Sequence, residues 1–92
     1  MELALGELAE CLPSPDRPEQ ELEAGALAES LDRFLASLPR EKRVLFVQRY
    51  WYLCPVEQLA ALHGLRKNTV ASALFRLRAQ LRKHLEEEGF TV

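Results

Sequence analysis

Ninety-two residues leave room for one small domain and little else. Hydrophobic residues at 48% and charged residues at 28% are ordinary for a globular chain, and four glycines and five prolines are too few for a linker protein. No apolar run approaches the roughly 20 residues of a membrane span, Glu2 and Glu7 stand where a secretory signal would be basic, and Cys11 and Cys54 fit neither a metal-binding pair nor a disulfide framework, so a reducing, cytoplasmic setting with no membrane partner is expected.

The formal net charge of −2 hides a strong segregation. Residues 1–32 hold nine acids and a single base, Arg17, whereas residues 33–85 hold eleven bases and only two acids, Glu41 and Glu57. The run Glu86-Glu87-Glu88 follows. A basic block inside an acidic chain points to a polyanionic partner more clearly than the total does. The acidic front half is expected to repel DNA and disfavour non-specific sites, an effect that trimming residues 1–18 would remove at low salt.

In chain order, residues 1–18 read as a flexible leader or the remnant of an interdomain linker, mobile or loosely docked: LALGELAECL could form one or two helical turns, but PSPDRP then stops any helix. Residues 19–92 read as the folded domain. From about Glu19 to Leu38, Leu22, Ala26, Leu27, Leu31, Phe34, Leu35 and Leu38 recur at three and four, which predicts an amphipathic helix with Pro18 in its first turn and Pro39 after its end. A second helix is predicted over about Arg40–Leu53, its apolar face Val44, Leu45, Val47, Trp51 and Tyr52. A short third helix follows over about Pro55–His63, with Pro55 at its first position and Cys54 as N-cap. Gly64 supplies a left-handed turn, and the fourth helix runs from about Lys67 to Glu87. At 100° per residue, Val70, Leu74, Leu77, Leu81 and Leu85 fall within roughly 60° of one another and form its core stripe.

Helix, glycine and basic second helix together make a helix-turn-helix pattern. Leu59, Ala60 and Leu62 would support the second helix. Its first turns present Arg66, Lys67, Asn68, Thr69 and Ser72, which are candidate base-reading groups because Arg pairs with guanine and Asn with adenine in bidentate fashion. Arg40, Lys42, Arg43, Arg49, Arg76, Arg78, Arg82 and Lys83 are candidate phosphate contacts. The plainer alternative is a solvated basic helix in a small bundle. His63 sits at an inward position and reads as a half-buried packing residue, and Tyr50-Trp51-Tyr52 as core and rim packing. Phe75 lies off the core stripe, so it either meets the first domain helix or offers an apolar contact to a partner. No catalytic activity, cofactor or metal is expected, since neither a nucleophile–base pair, a metal-ligand set nor a phosphate-binding glycine loop is visible.

The segment from Ser37 to Phe90 resembles region four, the C-terminal DNA-binding domain of bacterial RNA polymerase sigma factors, and is most similar to the extracytoplasmic-function type. The resemblance rests on Leu38-Pro39, then Arg43-Val44 and Phe46, Arg49-Tyr50, Glu57-Gln58-Leu59-Ala60, Gly64, Thr69-Val70 and Ser72, and Leu74 followed by Arg76, Arg78, Leu81 and Arg82. It implies an all-α, four-helix domain with a C-terminal helix-turn-helix, winged-helix-like but without a sheet. It also implies recognition of the upstream (minus-thirty-five) promoter element, docking on the β-subunit flap of the polymerase core, and capture by an anti-sigma factor. By position, Arg66, Lys67, Asn68, Thr69 and Ser72 would face bases and Arg76 phosphate. The chain departs from the family at Arg66 and Cys54, where capping Ser or Thr is usual, and at Ala71, often Lys. Region two has no counterpart in this sequence, so a domain cut from a longer sigma factor or a free-standing relative is expected rather than a complete initiator. The competing readings are a response-regulator output domain and an adaptor that binds polymerase or an anti-sigma factor without reading DNA.

Overall fold

The computed structural model describes residues 2–13 and 24–91, and among these there are five helices and no strand. They are α1 (Glu2–Ala9), α2 (Ala24–Ser37), α3 (Arg40–Tyr50), α4 (Val56–His63) and α5 (Lys67–Glu87). Helices α2 to α5 make the helix-turn-helix domain, with no β wing among the described residues. The predicted start of α2 at Glu19, its Leu22 and its Pro18 lie outside the described residues.

The core is built on α5. Val70, Leu74, Leu77, Leu81 and Leu85 are all buried, as their spacing requires, and Ala73 joins them. Phe34 of α2, Leu38 just beyond its end, and Leu45, Phe46 and Tyr50 of α3 close over this stripe. Phe46 is completely buried, edge-on to Phe34 at 5.8 Å and tilted against Tyr50 at 4.7 Å. His84 of α5 bonds the carbonyl of the buried Ser30 at 2.9 Å, and Arg33 pairs with Glu88, so α2 is tied to the end of α5. That pairing, led by the Arg33 hydrogen bond, holds the Glu88 carboxyl down at about 2.

Three sequence expectations change. First, α3 stops at Tyr50 rather than Leu53: Trp51 and Tyr52 both donate to the Val47 carbonyl, and Leu53 takes a left-handed φ of 54°. The helix face therefore turns, so that Leu45, Phe46, Arg49 and Tyr50 are inside, while Val44, Trp51 and Tyr52 are exposed. Second, Pro55 with ψ 149°, not Cys54, is the cap residue of α4, and the Cys54 carbonyl accepts from Arg49 at 3.1 Å. Third, residues 2–13 of the expected flexible leader form a docked helix and turn. Ala4 and Cys11 are in the core and Pro13 is buried beside them. The small side chains of Ala4 and Cys11 allow close approach, and Glu7 supplies a polar anchor described below.

Gly64 ends α4 at φ 64° and ψ 33°, and Leu65 donates back to the Ala60 carbonyl at 2.9 Å. This left-handed closure sets the angle between α4 and α5. A Cβ at Gly64 would meet nothing within 4 Å, so the cost of Gly64→Ala is backbone strain alone. A loss of about 1–2 kcal/mol is expected in thermal unfolding. A much larger loss would mean that the turn is also sterically closed.

Candidate nucleic-acid interface

Arg66 occupies the cap position of α5 in extended conformation, φ −81° and ψ 150°, and no side chain caps the helix. The first turn thus keeps free N–H groups on its positive end. Beyond it Lys67, Asn68, Thr69, Ser72 and Arg76 are all exposed. Leu59 and Ala60 of α4 are buried behind α5 and hold it, whereas Leu62, expected to share that task, is 61% exposed. Half-buried His63 bonds Gln48 of α3 at 2.7 Å and locks α4 in place.

Asn68, Thr69, Ser72 and Arg76 line one shallow depression together with Lys42 of α3. Lys42 also borders the two adjoining depressions, one reaching Gln80 and the other Leu65. Sequence reasoning placed Lys42 only among many possible phosphate contacts, yet it is the cation that stands opposite the polar face of α5. Arg40 is exposed and Arg43 half-buried, and neither lines these depressions. Lys67 leans the other way, paired with Glu57 of α4 at 3.0 Å between two exposed side chains. Phe75 is 66% exposed rather than buried against the rest of the domain, with the Arg78 guanidinium 5.8 Å from its ring centre.

Two of the expected phosphate contacts are engaged elsewhere. Arg49 and Arg78 both reach Glu7 of α1, at 3.4 Å and 3.2 Å. The Tyr50 hydroxyl lies 3.0 Å from Glu7 and 2.8 Å from Arg78. Burial, opposed by Arg78, pushes the Tyr50 phenol up to about 12. Burial works hardest against the charge of Arg78, but Tyr50 and Glu7 outweigh it and hold the guanidinium above its ordinary value. Arg78 lies roughly 120° around α5 from Ser72, which separates this cluster from the Lys42 depression. Local periodicity could not reveal it, because the groups come from three helices.

The folded residues define an all-α helix-turn-helix domain whose second helix exposes a polar, basic face. Residues 28–81 match the family model described as "Sigma-70, region 4". The chain belongs to that family, which is a DNA-binding, non-catalytic family of transcription. Neither a curated protein nor a solved structure matches the chain. No helix among the described residues is long and apolar enough to cross a membrane.

Proposed function

We propose that the chain binds the upstream, minus-thirty-five promoter element sequence-specifically and docks on RNA polymerase core during transcription initiation. In this reading α5 enters the major groove. Arg66, Asn68, Thr69 and Ser72 meet base edges, Lys67 joins them by exchanging its exposed partner Glu57 for the DNA, and Arg76 with Arg40, Lys42 and Arg43 meets phosphates. The observation that supports it most is the depression shared by Lys42, Asn68, Thr69, Ser72 and Arg76, where hydrogen-bonding groups and cations converge on one exposed surface. The uncapped N-terminal turn of α5 adds N–H donors suited to a phosphate.

Exposed Trp51, Tyr52 and Leu62 support a protein-docking role beside the DNA face, for the β-subunit flap of the polymerase or an anti-sigma factor. Within the family, the sequence resemblance supports the extracytoplasmic-function type, and the unpaired cysteines Cys11 and Cys54 support a reducing, cytoplasmic location.

A salt titration on promoter DNA tests the function. The observed affinity should fall steeply, with a log–log slope of about −3.6 or steeper if at least four phosphates are engaged. Sequence preference should persist at moderate salt. An adaptor that never reads DNA would show no preference at any salt, and that result would overturn the proposal.

A further inference from the structure

Helix α1 lies outside the matched segment 28–81, yet it supplies the acid at the centre of a cluster whose other members, Arg49, Tyr50 and Arg78, lie within that segment. Arg49 and Arg78 are largely enclosed, their side chains 10% and 19% exposed, and Glu7 is the carboxylate paired with both. The family portion of the chain thus forms a cleft between α3 and α5 that carries two guanidinium groups and a phenol, and α1 fills it.

The fit is incomplete in two places. The Arg49 Nε is buried and has no acceptor among the described residues. Beside Ala4 an open space remains between α1, α4 and the start of α5, bordered by Arg49, Leu53, Pro55, Val56, Glu57 and Lys67. The occupant is also weak by itself: eight residues with Gly6 in the middle are too few for a stable isolated helix. What holds α1 is Ala4, Leu8 and Cys11 turned inward at steps of four and three, with Glu7 between them.

We propose that the cleft between α3 and α5 is a docking surface for a short acidic amphipathic helix, filled here by α1 and open to exchange with a partner helix of the same pattern. That pattern is a small residue, a carboxylate three positions on, a leucine at four and a small apolar residue at seven. A partner helix must displace α1 and take over the Arg49–Tyr50–Arg78 cluster. The Arg49–Tyr50–Arg78 cluster lies on a different side of α5 from Asn68, Ser72 and Arg76, and the two surfaces approach each other only at Lys67.

The test uses the full chain and a labelled peptide of residues 1–13. The peptide should bind the Glu7→Arg chain about tenfold or more tightly than the unaltered chain, whose tethered α1 competes from high effective concentration. Ala4→Asp, which leaves Glu7 and the cleft residues intact, should raise peptide affinity in the same way. A peptide that itself carries Glu7→Arg should bind none of the chains. Equal peptide affinity for all chains would overturn the proposal. So would loss of cooperative thermal unfolding in both variants, since α1 would then be an inseparable part of the core. Promoter affinity, measured on the same samples, reports separately on the DNA-binding function.

Discussion

Leu81→Ala is expected to destabilise the domain by about 2–5 kcal/mol. Leu81 is fully buried within the α5 stripe, with Leu77 and Leu85 on the adjoining turns. Truncation removes three heavy atoms from a space enclosed by several helices, and a helix held by neighbours on both sides cannot collapse into the gap. For a domain of this size, that loss corresponds to a melting-temperature drop of roughly 10–30 °C. Phe75→Ala is the informative control. Phe75 is larger than Leu81 and on the same helix, but it is exposed, and its only described aromatic contact is the Arg78 guanidinium. Its removal should stay within about 1 kcal/mol. Equal losses for the two variants in thermal or urea unfolding would show that the stripe is not the core.

Arg66→Ala and Asn68→Ala are each expected to weaken promoter binding by about 1–3 kcal/mol and to relax preference at one base pair. Both side chains are exposed at the start of α5. Lys42→Ala should behave differently. A cation opposite the polar face that touches only phosphate would weaken all sequences by a similar factor and flatten the salt slope by about one unit. Binding selections on randomised promoter sequences separate these outcomes. If Arg66→Ala and Asn68→Ala both leave the preferred sequence unchanged, the start of α5 does not read bases. If Lys42→Ala alters preference at a single base pair, its place is in the groove rather than on the backbone.

The elements that depend on short-range pattern were legible in the residues. The span of α5, its five-residue core stripe and the Gly64 turn follow from spacing and backbone preference, and the structure reproduces them. The basic block marked the second half of the chain as the binding region, and the family match covers residues 28–81. Errors came where local preference was nearly balanced. Trp51 and Tyr52 suit a buried helix face, but the Val47 carbonyl captures both of their N–H groups and ends α3 before them. Pro55 serves as the extended cap residue of α4, with ψ 149°, rather than as its first helical residue.

Sequence alone thus determined the span of α5, its core stripe and its charged face, because each is a periodic or cumulative property of neighbouring residues. Only the tertiary structure decided which cations stand beside that face. Lys42 is brought there by the packing of α3 on α5. Arg49 and Arg78 are drawn instead to Glu7, which is 42 and 71 residues away in the chain. A carboxylate finds such partners through the geometry of three packed helices, and no spacing rule records that geometry.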